Sequence, residues 1–222
     1  MPKTVIISDI HLTTKFDHKK YEFLKGLVQK YDQVIINGDF WSNYSCTCTQ
    51  FLNSKWELLF PYLKNKTIYI HGNHDRMQWC TRGIKNFCKQ NTNKIELKIK
   101  DKTLFIEHGH LIALDSITNP LFIKVMRTLK FDALFTYKVH ELIVRLWGVK
   151  TYNKMSKEIE ELFIEYANNT LHKDEIIVLG HTHTPSTTQT HAHYLNSGYI
   201  QFGHAYYLTI ENGYIKFHHE TY

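Results

Sequence analysis

At 222 residues the chain is long enough for one sizeable domain, which would bury about 70% of its unfolded surface. Apolar content of 43% and charged content of 22% are those of a soluble globular protein and exclude a mostly disordered chain. The formal charge of +6 on its own speaks first for solubility and secondly for anionic partners such as phosphorylated small molecules, nucleic acid or a membrane surface, and no run of about 18 apolar residues offers a membrane span.

Residues 4–8 form a β-rich apolar run that predicts a buried strand. It ends in Asp9-Ile10-His11, and on an extended chain residues two apart face the same side, so Asp9 and His11 can reach one centre. Residues 21–31 carry Phe23, Leu24, Leu27 and Val28 at helical spacing. Gln33–Asn37 reads as a second strand, ending in Gly38-Asp39. Strand, helix, strand points to an α/β fold with parallel pairing. Residues 41–48 read as a loop and 51–63 as a second helix. The apolar run Thr67–Ile70 then leads into His71-Gly72-Asn73-His74-Asp75. Residues 76–93 are mixed, mostly helical or irregular. Residues 95–99 and 103–106 flank Lys100-Asp101-Lys102 as a hairpin, whose second strand ends in Glu107-His108-Gly109-His110.

Residues 111–172 break this rhythm and read as a helical insertion, with helices over 121–129, 135–147 and 158–168. Lys124, Arg127, Lys130, Lys138 and Arg145 give it a basic stripe. Phe122, Met126, Leu129, Phe131, Phe135, Leu142 and Trp147 give it an apolar face. Two readings stand: a cap gripping a lipid-like or nucleotide substrate, or helices packed on the core. Peripheral membrane contact through 121–147 goes with the first. Glu175–Leu179 is again a strand, ending in Gly180-His181-Thr182-His183. Residues 194–198, 205–211 and 214–218 read as a terminal meander, with Asn212-Gly213 as its hairpin turn. One domain over 1–222, interrupted by the insertion, is expected.

Fifteen histidines are many for this length and point weakly to metal chemistry. Cys46, Cys48, Cys80 and Cys88 form no C-x-x-C pair, so a zinc ribbon is not expected. All four read as free thiols in a reducing compartment, and with no signal peptide before the first strand a cytoplasmic location is expected.

The strand ends collect Asp9, His11, Asp39, Asn73, His74, His108, His181 and His183. Mixed nitrogen and oxygen donors without thiolate suit Mn, Fe, Zn or similar ions better than Ca. The set exceeds what one ion needs, and with one shared carboxylate it suits two. His71, His110 and His204 neighbour these motifs without an assigned role.

The series D-x-H, G-D, G-N-H-D, H before G-H, and G-H-T-H resembles the calcineurin-like metallophosphoesterase family, over Asp9 to His183. The terminal Asn196-Ser197-Gly198 followed by two strands is similar as well. The resemblance implies a four-layer αββα sandwich with the site at the strand ends. It implies that Asp9, His11 and His183 bind a first divalent ion and that Asn73, His108 and His181 bind a second, Mn foremost, with Fe, Zn, Ni or Mg as alternatives. Asp39 would bridge them, His74 would be the catalytic imidazole, and Asp75 would hold His74 by a hydrogen bond. Two cations about 3.5–4 Å apart hold a bridging hydroxide and polarise a phosphoryl oxygen. A carboxylate beside His74 would raise its pKa for protonating the leaving group.

The insertion is similar in position to that of the UDP-diacylglucosamine hydrolases, which cleave a pyrophosphate and use a helical cap for acyl chains. This chain carries His74 where that subgroup usually has Arg, and Phe40-Trp41-Ser42-Asn43 where it usually has an acidic loop. The expected function is therefore phosphoester or pyrophosphate hydrolysis, on a nucleotide-lipid or small phosphorylated substrate. A nuclease or cyclic-nucleotide phosphodiesterase on the same site is the alternative. A scaffold that keeps the fold without catalysis is an alternative of another class.

Overall fold

A computed structural model describes residues 2–80, 83–116, 133–186 and 190–222. Eleven strands form two sheets among the described residues. The first sheet holds β1 (Thr4–Ile7), β2 (Gln33–Asn37), β3 (Thr67–Ile70) and β4 (Gln90–Thr92), all parallel. It is completed by β9 (Ile200–Gln201), β10 (His204–Glu211) and β11 (Tyr214–Thr221), with β10 antiparallel to β1, β9 and β11. The second sheet is β5 (Lys94–Ile99), β6 (Lys102–Glu107), β7 (Glu175–Leu179) and β8 (Tyr194–Asn196). Its first pair is a hairpin and the rest is parallel.

Helices α1 (His18–Gln29), α2 (Cys48–Leu52) and α3 (Phe60–Leu63) lie in the first half. The insertion supplies α4 (His110–Ser116), α5 (Ala133–Trp147), α6 (Val149–Tyr152) and α7 (Lys157–Thr170).

The strands are apolar on both faces because both faces are covered. On β1, Val5 and Ile7 pack toward α1 and the aromatic residues Trp41, Phe51 and Trp56, while Ile6 points to the second sheet. On β7, Ile176 and Val178 face the first sheet, and Ile177 and Leu179 face Phe163 and Ala167 of α7. The period-two alternation thus sends the strand side chains to both faces of each sheet and builds four layers, helix, sheet, sheet, helix.

Several boundaries differ from the sequence reading. The expected helix over 51–63 is broken into α2, a 3-10 turn Lys55–Leu59 and α3. Ser54 restarts the chain, its hydroxyl accepting from Trp56 N, and Pro61 fits only the first turn of the next piece. The terminal meander is not one unit: β8 belongs to the second sheet, parallel to β7, and only β10 and β11 form the hairpin. Its turn is as expected, with Asn212 and Gly213 at φ 52° and 75°. Strand β4 had no apolar run to announce it. The helix expected over 121–129, with its basic and apolar side chains, lies outside the described residues. Within α5, Val139, Leu142, Leu146 and Trp147 are exposed, while Ile143 and Val144 pack against Tyr152, Tyr199 and Tyr206. Among the described residues no helix is long and apolar enough to cross a membrane.

The expectation of four free thiols is corrected: Cys48, at the start of α2, and Cys80 form a disulfide across a separation of 32 residues. Cys46 and Cys88 are buried thiols. The compartment inferred from four free thiols loses that support.

Candidate metal centre

Because β1, β2 and β3 are parallel, the loops after them emerge on one edge of the first sheet. The loops after β6 and β7 emerge beside them on the second sheet. Every expected ligand sits on one of these loops. Asp9, His11 and His183 bring one ligand atom each into a common group, and so do Asp39, His108 and His181. Asn73 Oδ1 lies 3.2 Å from His108 Nε2 and joins the second group. Asp39 stands between them, its Oδ2 3.3 Å from His108 Nε2 and 3.7 Å from His11 Nε2. A third grouping, His11, Asp39 and His74, overlaps both.

The loops are not extended as the D-x-H reading supposed. Asp9, His11, Asp39, His181 and His183 have φ between 50° and 69°, the left-handed region, which costs roughly 1–2 kcal/mol per non-glycine residue. The tight bends still turn Asp9 and His11 into the site while Ile10 is buried in the core. Neighbours hold the bends. Gln201 donates to Asp9 O at 2.9 Å, Lys20 Nζ donates to Ile10 O at 3.2 Å, and His181 N donates to Asp9 Oδ2 at 3.0 Å. Two glycines make room: a Cβ on Gly72 would lie 2.1 Å from Asp39 Oδ1, and one on Gly38, at φ 81°, 2.3 Å from His108 Nδ1.

The donor set fits a cation. Asp9 Oδ1 is buried and accepts no hydrogen bond, while His183 Nε2 lies 3.1 Å and His11 Nε2 3.8 Å away. The two ring nitrogens lie 3.2 Å apart, so lone pairs converge on one point, as ligands around a positive ion do. On the other side the backbone carbonyl of Asn37 accepts from His108 Nδ1 at 2.8 Å, which aims Nε2 inward. Burial works against the charge of His108, yet Asp39 and Asp9 beside it push its pKa up to about 10. Burial alone would raise the Asp39 carboxyl, but His108 and His74 hold it well below the usual range. The carboxylates call for positive charge at this place. His181 is pushed down to about 4 by burial and by the His108 charge.

His74 and Asp75 behave differently from expectation. Asp75 does not bond the His74 ring. Its Oδ1 accepts from Gly72 N at 2.7 Å, and its Oδ2 accepts from Phe40 N at 2.7 Å and from the Tyr69 hydroxyl. It ties the loop after β2 to the loop after β3, which makes it a positioning residue. The His74 ring meets Ser42 Oγ through Nδ1 at 3.2 Å instead. Burial pushes its pKa down to about 3, against the raising effect of Asp39, so the expected upward shift is absent. His74 Nε2 faces Asp39 Oδ2 at 3.9 Å, and its backbone N–H donates to Asp39 Oδ1 at 2.9 Å.

Of the neighbouring histidines, His71 is buried and engaged through both ring nitrogens, by Asp75 O and Asn91. His204 pairs with His219 on the β10–β11 hairpin. His110 lines a cleft of about 220 Å³ together with Asn93, Lys94 and His108. Residues that sequence reasoning passed over complete the surroundings. Tyr44 is exposed and stands edge-on to His74 at 4.6 Å. The Arg76 guanidinium lies over Trp79 at 5.5 Å. The Tyr152 hydroxyl bonds His183 Nδ1. None carries a motif, and only the fold brings them here.

Glu160 of α7 is buried behind the last ligand loop, where its carboxylate accepts from Thr182 Oγ1 at 2.6 Å and from Asn196 Nδ2 at 3.4 Å. Burial pushes its pKa up to about 7 from 4.5, despite these donors. The folded state therefore holds a proton that the unfolded state releases between about pH 4.5 and 7, and stability falls as pH rises across that window. Glu160→Gln should remove the loss. In chelator-treated protein the variant should match wild type near pH 5 and exceed it by up to about 3 kcal/mol near pH 8. Urea unfolding at the two pH values checks this, and equal pH slopes for the two proteins would contradict it.

A family profile for calcineurin-like phosphoesterases matches residues 2–185. A search of curated proteins finds no match. Solved structures with a similar fold include a novel archaeal phosphodiesterase, at 16% identity over 99% of each chain and a TM-score of 0.48. The phosphoesterase YfcE of E. coli is similar at 16% identity, over 95% of this chain and 88% of that one, with a TM-score of 0.47. A Vps29 mutant from Entamoeba histolytica is similar at 13% identity over 99% of each chain, with a TM-score of 0.46. These scores lie below one half, and the family assignment rests on the sequence profile alone.

Proposed function

The chain belongs to the calcineurin-like phosphoesterase family, and from that premise we propose that it hydrolyses a phosphoester or pyrophosphate bond with two divalent cations. The observation that supports this reading is the place of Asp39, whose Oδ2 lies 3.7 Å from His11 of the group Asp9–His11–His183 and 3.3 Å from His108 of the group Asn73–His108–His181. The first group would hold one cation and the second the other. When bound, the cations supply Lewis-acid polarisation of the phosphoryl group and a water acidic enough to attack near neutral pH.

The chain's own residues do the rest. Asn73 contributes a neutral oxygen, so the second group binds a cation without placing another negative charge against an anionic substrate. His74, neutral and fixed through Ser42, presents Nε2 to the reacting phosphoryl group and donates its N–H there or to the leaving oxygen. Arg76 and Lys94 offer positive charge to further phosphate oxygens. Tyr44 and Trp79 offer flat faces to a base or aryl group.

A nucleotide-lipid or small nucleotide pyrophosphate suits these walls. The exposed apolar stripe of α5 beside the exposed Lys138 and Arg145 gives acyl chains and a charged surface somewhere to lie, and peripheral membrane contact goes with it. The test is a Mn-supplemented panel of aryl mono- and diesters, UDP-lipids, cyclic nucleotides and single-stranded DNA. Highest kcat/KM is expected for the pyrophosphate-linked nucleotide-lipid. A preference for single-stranded DNA with steep salt dependence would replace this substrate by nucleic acid.

Metal identity is tested separately. Chelation should abolish turnover and Mn should restore it better than Ca, because imidazole-rich sites suit transition ions and Ca prefers oxygen cages. Full recovery with Ca alone would overturn the ligand assignment.

A further inference from the structure

The helical insertion reaches the metal centre from behind. Tyr152 closes α6 and is only 4% exposed. Its ring packs among His140, Tyr199 and Phe202 at centroid distances of 5.2–5.4 Å, and its hydroxyl meets Nδ1 of His183. The next residue, Asn153, accepts from Thr184 Oγ1 through its carbonyl at 3.0 Å and from the Tyr199 hydroxyl through its side chain at 3.2 Å. Glu160, one helix later, takes the Thr182 hydroxyl. Three successive residues of the loop, Thr182, His183 and Thr184, are thus held by three residues of the insertion.

We propose that the insertion acts as a clamp on the first metal group, with Tyr152 as the residue that positions His183. The proposal rests on the reading that His183 is a ligand. Once Nε2 is committed to a cation, the neutral ring carries its proton on Nδ1. That N–H donates to the Tyr152 oxygen, which fixes both the tautomer and the ring's orientation. His108 receives the same service from a backbone carbonyl, that of Asn37, which no side-chain substitution removes. The two groups therefore differ: orientation is built into the sheet for His108, and is lent by the insertion for His183. His183 also needs it more, since its backbone is left-handed at φ 55°, as is that of His181 two residues before it at φ 69°.

The experiment titrates chelator-treated wild type, Tyr152→Phe, His183→Ala and the double variant with Mn by calorimetry, with Co absorption as a second readout. Phenylalanine keeps the packing against Tyr199 and Phe202 and loses the hydroxyl's bond to His183, so the metal-free melting temperature should fall by only about 2–4 °C. One of two binding steps should weaken about ten- to a hundredfold while the other stays within about twofold. The same step should be lost in His183→Ala, and adding Tyr152→Phe to that variant should change nothing further. The Co spectrum of Tyr152→Phe should shift for one ion only. Unchanged affinities in Tyr152→Phe, or an equal loss when His183 is already absent, would overturn the positioning role. A larger drop in metal-free melting temperature with both steps weakened would make Tyr152 a packing residue and overturn it too. If wild type binds no pair of cations, the functional reading itself fails and this inference falls with it. Two intact steps in wild type with no effect of Tyr152→Phe would remove this inference alone.

Discussion

Asp39→Asn is expected to leave the protein folded, to reduce bound metal from two ions to one or none, and to slow hydrolysis by about a thousandfold or more. The asparagine keeps the shape of the side chain, and its carbonyl can still accept from His74 N, now 2.9 Å from Oδ1. The other atom becomes an NH2 group where Oδ2 now faces His108, His11 and His74 at 3.3, 3.7 and 3.9 Å. At that place the substitution removes the negative charge and the lone pair together. An amide nitrogen cannot join two cations, and their mutual repulsion then goes uncompensated. Metal analysis and turnover of an aryl phosphodiester give the answer. Two retained ions at wild-type rate would show that Asp39 does not bridge.

His74→Ala is expected to keep both metals and to lose turnover by about a hundred- to ten-thousandfold. The backbone N–H that positions Asp39 survives in alanine, so the shared carboxylate keeps its partner. The lost ring leaves Ser42 and the edge-on contacts to His11 and Tyr44, at 4.4 and 4.6 Å, without their centre. If the ring assists the leaving oxygen, the loss should be larger for alkyl esters than for p-nitrophenyl esters, whose leaving group needs no help. Should metal content fall instead, His74 belongs to the His11–Asp39–His74 group as a ligand, and its role changes from reaction to coordination.

The gathering of the candidate ligands was legible in the sequence because each follows a strand whose apolar run is unmistakable. Asp9, Asp39, Asn73, His108 and His181 all stand just past buried β-residues, and parallel pairing puts such ends on one edge. The sequence also carried the buried strands, since runs such as Val34-Ile35-Ile36 leave no face for water, while the four layers came with the resemblance. What it could not carry is contact between distant segments. Tyr152 and His183 are 31 residues apart and share no pattern. The Cys48–Cys80 link has the same character. The partnership of Asp75 with His74, implied by the resemblance, is not made, for a related reason: the tight turn points the carboxylate back at Gly72, Phe40 and Tyr69. The backbone twist at the ligands was equally hidden, because aspartate and histidine are ordinary in extended loops too.

That twist bears on how such a protein can be stabilised. At five of the candidate ligand positions the backbone would be relaxed by glycine, the usual remedy for a left-handed residue. At Asp9, His11, Asp39, His181 and His183 the remedy deletes the donor. Sequence optimisation that scored backbone ease alone would choose these sites first and return a sturdier protein with no means of holding an ion. Engineering for robustness therefore has to leave the strand-end loops alone and work on helix caps and the surface of the β10–β11 hairpin.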